Sequence, residues 1–476
     1  MQKYEFEIEI DKLIENGIPR VLPKRITADE KERIREYIGD DALFDKVWDD
    51  IVRSHIVMME NIEKNENSLY LLMHKNICVA EITMDTLTGS LLTVTSVYNK
   101  DHLPVGVGVK DGKVDREALV KWWKDRCIPR YRLGITNAIA DMYLLSPAVL
   151  PLKCYGLSLS DQYWVIPESS FLCWHDVNFF ENDFSDDVGK ILFGKSKKGD
   201  DFDFCSPDNT TVGYLKKRWQ IKNGKRYLVK SGSGTFKQQP FNEVIASRIA
   251  ERLGIPHVKY NVIWDDGIPY SVCENFVTEN TELVTAWRVV LTQKKNNNTS
   301  VYRHYINCCD ALGVKDIVHS IDQMIVLDYI IGNEDRHLNN FGLLRNADTL
   351  EWLGAAPVFD SGSSLGYEML ATQILYGKEM ECKPFKNSHE EHLKLVTSFD
   401  WIDFDNLKGI DGDINDILSN AGEYIDEPRK AAIISFVTKR IEYLHEMAMH
   451  HTETKDDISK DVEEDVARNY GFDLKQ

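Results

Sequence analysis

The sequence predicts a mixed α+β fold with more than one hydrophobic core. Its 476 residues exceed the usual size of a single domain. Hydrophobic residues make up 43% of the chain and aromatic residues 10%, which is enough to fill several cores. Strand patterns over 68–110 and 210–276 are followed by mainly helical patterns over 277–450, and this segregation of strands and helices is typical of the α+β class.

The N-terminal portion, residues 1–155, is predicted to be an α+β subdomain, and the sequence does not indicate its role. Residues 28–65 are rich in helix formers and have apolar positions at helical spacing. Residues 68–110 contain three strand-like segments separated by turn residues. Asp115 is a candidate N-cap for a helix over 116–125, because its carboxylate can accept from the first backbone amides of that helix.

Beyond residue 155 the sequence predicts three further parts and a tail. Residues 156–205 are rich in aromatic and acidic side chains with weak periodicity, which predicts an irregular segment that links two units. Residues 206–276 combine two pairs of strands with an amphipathic helix between them. Residues 277–450 are mainly helical with a loop-rich interruption, and residues 451–476 are acidic, forming either a solvated helix or a frayed tail.

The composition argues against several functional classes. The formal net charge of -19 argues against nucleic acid as a direct partner, because a backbone binder needs a clustered basic surface. No stretch approaches the ~18 apolar residues of a membrane helix, and the N-terminus lacks the apolar region of a signal peptide. The nine cysteines form no CxxC pair, which is typical of free thiols in a reducing compartment. We therefore expect a cytoplasmic protein that binds no membrane.

The first candidate for chemistry is a pair of opposite charges. Lys230 ends the strand-like segment YLVK, and Glu243 lies in the helical segment that follows. Phosphoryl transfer from ATP consists mostly of positioning and charge neutralisation. A lysine fixed on a strand supplies one countercharge to the phosphates, and a glutamate from a neighbouring helix holds that lysine in place. Surface lysines and surface helix glutamates are common, so this pair alone is a weak signal.

The second candidate is the loop 331–342, with the sequence IGNEDRHLNNFG, which directly follows an apolar helical run. Asp335 and Asn340 have the D-x-x-x-x-N spacing of a kinase catalytic loop. In such a loop the carboxylate faces the attacking hydroxyl, and the amide oxygen binds Mg²⁺, a cation that prefers oxygen ligands. A polar turn between two helices is the simple alternative, but the string DRHxxNFG is much rarer than the spacing alone.

The third candidate is the segment 357–362, with the sequence PVFDSG. An apolar pair leads into Asp360, and the glycine that follows allows the backbone to bend sharply. This is the place of the kinase D-F-G segment, whose aspartate bridges the metal ion and the phosphate oxygens. Alone the segment is an ordinary turn. Three signals in the order that a phosphoryl-transfer site requires together predict a site for ATP and Mg²⁺.

Several longer strings resemble the HipA-like serine/threonine protein kinases of bacteria. They are NEDRHLNNFG, PVFDSGSSLG, FNEVIASRIAERLGIP and GLSLSDQYW, and the resemblance covers roughly residues 155–445. It implies a protein-kinase-like two-lobed fold, with 206–276 as the small lobe and 277–450 as the large lobe. It also implies ATP and Mg²⁺ as cofactors and a protein Ser or Thr hydroxyl as the acceptor. Asp335 is then the catalytic base, and the metal ligands are Asn340 and Asp360.

The resemblance also implies a set of nucleotide-binding residues. Residues 273–276 fall at the inter-lobe hinge, whose backbone is expected to bind adenine. Residues 208–217 have one glycine where eukaryotic-type kinases have G-x-G-x-x-G, so we expect threonines and backbone amides there to cover the phosphates. A serine or threonine of this loop is a candidate for self-phosphorylation. The cofactor-binding residues expected in this way are Lys230, Glu243, Thr210, Thr211, Gly213, Glu274, Asn275, Phe276 and His337.

The residues leave the acceptor open. A small-molecule or lipid-type kinase on the same fold is the alternative enzyme, and the preference for a protein acceptor depends on the family resemblance alone. A non-catalytic interaction module is a third possibility, although Lys230, Asp335, Asn340 and Asp360 are all present and a degenerate kinase usually loses at least one of them. A toxin-like regulator would contact DNA only through a small antitoxin-like partner, because the chain has no detectable DNA-binding motif.

Overall fold

The structure is a computed structural model, and the chain divides into two compact units. Unit 1 comprises Met1–Tyr214 and Val277–Asn280, and unit 2 comprises Leu215–Phe276 and Thr281–Gln476. The helix predicted over 28–65 lies almost wholly outside the described residues. The residues that the structure describes are 35–36, 39–42, 44–45, 67–144, 146–196, 198–199 and 201–470, with the backbone alone described for 67 and 451–470.

The strands described in unit 1 are β1 (Asn67–His74), β2 (Ile77–Asp85), β3 (Ser90–Val97), β4 (Val109–Lys110), β5 (Lys113–Val114) and β6 (Tyr163–Pro167). An antiparallel sheet has the strand order β3-β2-β1-β6, and β4 pairs separately with β5. The helices of unit 1 are α1 (Arg116–Asp125), α2 (Ile135–Asp141), α3 (Leu150–Lys153), α4 (Trp174–Val177) and α5 (Asp187–Phe193). The core on this sheet includes Leu72, Ile82, Leu119 and Val165, all buried.

Two predictions for unit 1 have opposite outcomes. Asp115 caps α1, since its Oδ1 accepts from the Ala118 amide at 3.0 Å, and this confirms the predicted helix start. The prediction of an irregular segment is wrong where β6 forms and pairs with β1. All five residues of β6 are buried, so its sequence YWVIP is continuously apolar. A strand buried on both faces lacks the alternation by which strands are recognised in a sequence.

Unit 2 contains a four-stranded sheet, a three-stranded sheet and most of the helices described. The strands are β7 (Lys217–Lys222), β8 (Lys225–Ser231), β9 (Tyr260–Asp265), β10 (Ile268–Glu274), β11 (Thr281–Thr285), β12 (Gly342–Asn346) and β13 (Trp352–Ala355). Their order is β7-β8-β10-β9 in the four-stranded sheet and β11-β12-β13 in the three-stranded sheet. The helices are α6 (Gln239–Arg252), α7 (Ala286–Val290), α8 (Val301–Ala311), α9 (Ile317–Ile331), α10 (Ala371–Leu375), α11 (His389–Leu393), α12 (Ile410–Ser419) and α13 (Glu427–Tyr470).

The β7–β8 hairpin and α6 form within the stretch where the sequence predicted strands and an amphipathic helix. Asn223 and Gly224 join the strands with φ values of 53° and 75°, the left-handed conformation that a tight two-residue hairpin turn requires. The strand predicted to begin at residue 210 begins only at Lys217, because Pro207–Thr210 form a buried 3-10 turn in unit 1. The three-stranded sheet within the mainly helical part of the chain was not predicted.

The end of α9 is determined by Gly332, directly before the candidate catalytic loop. Gly332 has a φ of 58° and is the C-cap of the helix. A Cβ at this position would lie 2.7 Å from Met380 Sδ and 2.8 Å from Phe436 Cζ, which leaves room only for glycine. The helix therefore stops abruptly, and the polar residues that follow turn away from its axis.

The mixed α+β class predicted from the sequence is confirmed. The two-lobed arrangement and the division into five parts stay predictions. The acidic tail is helical through Tyr470, because α13 continues that far. No helix in the described part of the chain is both long and apolar enough to cross a bilayer.

Candidate active site

Lys230 is the centre of a buried cluster of charges in unit 2. Its side chain projects from β8 and the residue is 4% exposed. Its amine donates to Glu243 Oε1 at 3.0 Å, to Asp360 Oδ1 at 2.7 Å and to the Tyr260 hydroxyl at 3.3 Å. The structure therefore brings together Lys230, Glu243 and Asp360, which the sequence analysis identified in two separate candidates.

Lys230 and Asp360 keep their charges because their partners compensate for burial, whereas burial raises the pKa of Glu243 above its ordinary value. Burial alone would lower the pKa of Lys230, but the carboxylates of Asp360 and Glu243 outweigh it and hold this pKa well above its ordinary value. Burial alone would raise the pKa of Asp360, but Lys230, Lys217 and Arg336 hold it below its ordinary value of 3.8. The pair of Lys230 and Asp360 is therefore ionised across the neutral pH range.

The shift at Asp360 predicts how stability depends on acid pH. A carboxyl whose pKa is lower in the folded chain contributes stability above its unfolded pKa and loses it as the pH falls further. We expect the difference in free energy of unfolding between the unsubstituted chain and Asp360→Asn to be constant near neutrality and to shrink below about pH 3.8. Urea denaturation at a series of pH values measures this. A difference that grows on acidification would contradict the ion pair, and the exposed Asp310→Asn is the control.

Two adjacent side chains of α6, Asn242 and Glu243, hold the backbone that follows Asp360. The second carboxylate oxygen of Glu243 accepts from the Ser361 amide at 2.9 Å. The Asn242 side-chain amide donates to the carbonyls of Gly362 at 2.9 Å and Ser364 at 2.7 Å. Both side chains are buried, and both bind the backbone that directly follows Asp360. The helix thus positions the Asp360 carboxylate as well as the Lys230 amine.

A buried arginine extends this support to residues 365–369. Arg429 donates to Gln238 Oε1 at 2.6 Å and to the carbonyls of Met369 at 2.6 Å and Gly366 at 3.0 Å. Gln238 in turn donates to the Leu365 carbonyl at 3.0 Å. The backbone of the segment after Asp360 is therefore hydrogen-bonded to side chains of three parts of the chain. These are α6, Gln238 directly before α6, and α13.

Asp360 itself adopts an unusual backbone conformation. Its φ is 56°, in the left-handed region that residues other than glycine occupy rarely. The Asp360 amide donates to the Tyr260 hydroxyl at 3.3 Å, and this hydroxyl also accepts from Lys230. Such conformations persist where the surrounding contacts enforce them, and they concentrate at functional sites.

The loop that carries Asp335 and Asn340 is closed by its own side chains. The Asp335 amide donates to Asn333 Oδ1 at 3.1 Å. The side-chain amide of Asn340 donates to the Asp335 carbonyl at 2.8 Å, so its oxygen is left as an acceptor. The D-x-x-x-x-N spacing therefore has a geometric reason, since the asparagine closes the turn that begins at the aspartate.

Arg336 connects this loop to the segment of Asp360. It is fully buried and forms a two-pronged ion pair with Asp328 of α9, with Nε–Oδ2 and Nη2–Oδ1 both at 2.9 Å. Its remaining hydrogens go to the carbonyls of Asn340 at 2.9 Å and of Phe359, and to the Ser361 hydroxyl at 2.9 Å. Burial would lower the pKa of Arg336, but Asp328 raises it above its ordinary value. One guanidinium, directly after the proposed base Asp335 in the chain, therefore fixes the backbone beside both proposed metal ligands.

The Asp335 carboxylate is half exposed and lies between two basic side chains. Lys383 Nζ is 3.2 Å from its Oδ1, and His337 Nε2 is 3.9 Å from its Oδ2. The predicted cofactor residue His337 is therefore beside the proposed base, and its role in nucleotide binding stays a prediction. Glu334, directly before Asp335 in the chain, is partly buried, and burial together with Glu368 and Glu381 raises its pKa.

The predicted hinge residues lie at the end of β10 and directly beyond it. Glu274 ends β10, and its carboxylate accepts from Lys225 at 2.8 Å. The Asn275 amide donates to the Arg226 carbonyl at 2.8 Å, which continues the pairing of β10 with β8. The Phe276 ring packs 5.4 Å from the ring of Phe359, the residue before Asp360. Their contact with adenine stays a prediction.

The predicted phosphate-covering residues belong to unit 1. Thr210 and Thr211 are each 8% exposed. Thr210 donates to the Leu157 carbonyl at 2.8 Å, and Thr211 accepts from Arg132 at 2.8 Å. Arg132 also donates to the Gly213 carbonyl at 3.1 Å, and burial lowers its pKa to about 10. These hydroxyls thus hold the segment in unit 1, and their role toward phosphate stays a prediction.

The donor set at the site fits a magnesium–nucleotide complex. The described residues contain no group of three or more His, Cys, Asp or Glu side chains that could hold a metal ion. Mg²⁺ in nucleotide sites is held by one or two protein oxygens together with phosphate oxygens and water. Asp360 and Asn340 would supply those protein oxygens, and Lys230 would face the phosphates. The fit therefore depends on the nucleotide supplying the remaining ligands.

Sequence reasoning missed the residues that support the site. Asp328 had a usable signal, because a lone acid within the apolar run MIVLDYII has to find a partner when the helix is buried. Arg336 was part of the quoted DRH string but had no assigned role. Gln238, Asn242 and Lys383 had no recognisable spacing, because their partners are distant in the sequence.

A known protein family matches the part of the chain that contains this site. The model of the HipA-like C-terminal domain matches residues 208–431. The proinflammatory kinase CtkA of Helicobacter pylori is 18% identical, with a TM-score of 0.38, over 50% of this chain and 95% of that one. In the complex of toxin–antitoxin proteins HipA and HipB with operator DNA from Shewanella oneidensis MR-1, the similar chain is 13% identical, with a TM-score of 0.45, over 78% of this chain and 96% of that one. None of the curated proteins matches the sequence.

Proposed function

Residues 208–431 identify this chain as a HipA-like protein, and from that premise we propose that it is an ATP- and Mg²⁺-dependent kinase that phosphorylates a Ser or Thr hydroxyl of a protein. The observation that carries the proposal is the buried cluster in which the Lys230 amine contacts Glu243 at 3.0 Å and Asp360 at 2.7 Å. A lysine buried beside two carboxyl groups is poorly explained as a stabilising feature, because taking ionisable groups out of water is costly. It is well explained as a prepared countercharge for phosphates.

Each residue of the site has a proposed role. Lys230 neutralises the nucleotide phosphates, and Glu243 keeps the amine in place. Asn340 and Asp360 hold Mg²⁺, which would neutralise charge on the phosphoryl group that ATP donates. Asp335 accepts the proton of the acceptor hydroxyl. Arg336 fixes the relative positions of these three oxygen-bearing side chains, since it binds the backbone beside both proposed metal ligands.

The proposal is tested by incubating the purified chain with γ-labelled ATP and Mg²⁺. We expect label to enter protein, either the chain itself or an added protein acceptor. Label that enters only a small molecule would favour the alternative kinase, and ATP that is neither bound nor turned over would favour a non-catalytic module. The Lys230→Met variant is the control, because it removes the proposed countercharge and should incorporate no label.

Replacing Asp360 with Ala is expected to remove the Mg²⁺ dependence of nucleotide binding. The carboxylate is the proposed metal ligand, so we expect the affinity for ATP at saturating Mg²⁺ to fall by about tenfold or more. Calorimetric titration with and without Mg²⁺ measures the change. The exposed Asp310→Ala on α8 has the same loss of charge and is expected to bind as the unsubstituted chain does. An Asp360→Ala variant that keeps its full Mg²⁺ response would rule out this role.

Self-phosphorylation of the 206–211 segment is part of the proposal. Ser206 is 0% exposed, and Thr210 and Thr211 are each 8% exposed, so a phosphoryl group on any of them would force the segment out of its place through charge and bulk. Mass spectrometry of the chain after incubation with ATP and Mg²⁺ detects a phosphoryl group on this segment. A peptide spanning 206–211 that stays unmodified while label enters elsewhere would exclude it.

We also propose a small antitoxin-like protein as a partner. The support is the HipA-like domain, together with a formal net charge of -19 that disfavours direct binding to DNA. If a small helix-turn-helix protein is encoded in the adjacent reading frame, co-expression and co-purification with this chain test the partnership. Binding of the isolated chain to DNA without any partner would contradict it.

A further inference from the structure

Lys383 contacts the proposed base although no sequence motif includes it. Its amine donates to Asp335 Oδ1 at 3.2 Å, across 48 positions of the chain. His337 Nε2 lies 3.9 Å from the other carboxylate oxygen, Oδ2. The backbone of Asp335 is held separately by Asn333 and Asn340. The hydrogen bond from Lys383 therefore acts on the carboxylate itself, whereas Asn333 and Asn340 act on the backbone.

The segment before Lys383 is fixed in place. Glu381 and Ser388 form an isolated antiparallel bridge that makes residues 381–388 a short hairpin. Cys382, directly before the lysine, is 3% exposed, and its thiol lies 2.9 Å from Nδ1 of the buried His392. The backbone that carries the Lys383 side chain is therefore anchored in the core of unit 2.

The segment after Lys383 is packed against the catalytic loop. The Phe385 ring packs edge-on against Phe341 at a centroid distance of 6.0 Å and against Tyr302 at 5.3 Å. Phe341 directly follows Asn340, so one aromatic cluster connects the hairpin to the loop. The position of the Lys383 amine relative to Asp335 is thus determined by packed elements at both ends and is not a chance contact of a free surface chain.

Folding stability does not account for this lysine. The Lys383 and Asp335 side chains are 45% and 42% exposed, and ion pairs this exposed contribute little to stability. We therefore expect substitutions of Lys383 to leave the fold intact. A charged contact with little stabilising effect, directed from an anchored hairpin onto the proposed base, is better explained by the reaction than by the fold.

We propose that Lys383 is a positioning residue for phosphoryl transfer, an inference that rests on the proposed function. By donating to Oδ1, Lys383 orients the Asp335 carboxylate so that Oδ2 faces the acceptor hydroxyl. The hydroxyl proton moves to Oδ2, the hydroxyl oxygen forms its bond to phosphorus, and the bond between that phosphorus and ADP breaks with its electron pair leaving on ADP. Lys383 itself keeps all its protons throughout and is not consumed.

The test compares Lys383→Met, Lys383→Gln and Lys383→Arg with the unsubstituted chain. The reaction is Mg²⁺-ATP turnover, followed as ADP release with dephosphorylated casein as the acceptor. The control is Lys386→Met, which removes the charge of another exposed lysine of the same hairpin. Thermal unfolding of each variant reports whether the fold is intact. The kcat, the KM for ATP and the recovery by arginine are the readouts.

We expect Lys383→Met and Lys383→Gln to lower kcat by about 10- to 100-fold with the KM for ATP unchanged, because misorientation of a reacting group acts on the chemical step. Lys383→Arg should recover most of the rate, since arginine also donates to Oδ1. An unchanged kcat in both Lys383→Met and Lys383→Gln, a rise in kcat, or an equal loss in Lys386→Met would overturn the inference while the proposed function stands. If the unsubstituted chain transfers no phosphoryl group, the proposed function itself fails and the inference fails with it.

Discussion

Replacing Asp335 with Asn is expected to lower the rate of phosphoryl transfer by a factor of about 10²–10⁴ while the affinity for ATP changes little. The amide has the shape of the carboxylate but accepts no proton from the acceptor hydroxyl. The loop itself should keep its form, because Asn333 and Asn340 bind the backbone amide and carbonyl of residue 335 and not its side chain. Nucleotide binding should persist, since Lys230 and Asp360 are unchanged.

Single-turnover kinetics with labelled ATP measures the rate, and calorimetric titration measures the affinity. Asp310→Asn, an exposed aspartate of α8, is the matched control for loss of one negative charge and should transfer at the unsubstituted rate. A variant at position 335 with unchanged transfer would remove Asp335 from its role as the base. A variant that no longer binds ATP would instead place Asp335 in nucleotide binding.

Replacing Asp328 with Ala is expected to lower the free energy of unfolding by about 3–5 kcal/mol. Asp328 and Arg336 are 1% and 0% exposed, so removal of the carboxylate leaves a guanidinium buried without its counter-ion. Asp328 also accepts from the Asn333 side chain at 2.9 Å, so the loop that begins at Gly332 loses a second contact. The rate of phosphoryl transfer should also fall, because Arg336 would no longer hold the backbone of Asn340 in place.

Urea denaturation measures the loss, and Asp322 offers a matched control on the same helix. Asp322 is also 1% exposed, but it accepts from the Thr397 amide at 3.1 Å and from the Thr397 hydroxyl at 2.6 Å, both of which are neutral donors. Asp322→Ala should cost less, about 1–3 kcal/mol. The double variant Asp328→Leu, Arg336→Met should recover part of the loss, because no buried charge remains unpaired. Equal losses for Asp328→Ala and Asp322→Ala would contradict the importance of the ion pair.

The local elements that the sequence predicted well are those specified by short-range chemistry. Asp115 caps α1 because its carboxylate reaches an amide only three residues ahead. Asn223 and Gly224 form the β7–β8 turn because both tolerate positive φ. The misses were elements whose signal depends on distant partners: β6 is apolar throughout because the sheet of unit 1 buries both of its faces.

The order of Lys230, Glu243, Asp335, Asn340 and Asp360 along the chain was sufficient to predict a phosphoryl-transfer site, because the chemistry of phosphate and Mg²⁺ requires those residue types. Residue types and spacing are properties of the chain alone, and so the sequence by itself determined which groups we propose for the site.

Only the tertiary structure decided what holds those groups. Arg336 binds Asp328 and the carbonyls of Asn340 and Phe359. Glu243 binds both Lys230 and the Ser361 amide, and Lys383 reaches Asp335 across 48 positions. A hydrogen bond depends on distance and direction in space, and a side chain can satisfy it from any position that the fold brings within about 3 Å. For that reason these supporting contacts have no spacing in the sequence by which they could have been found.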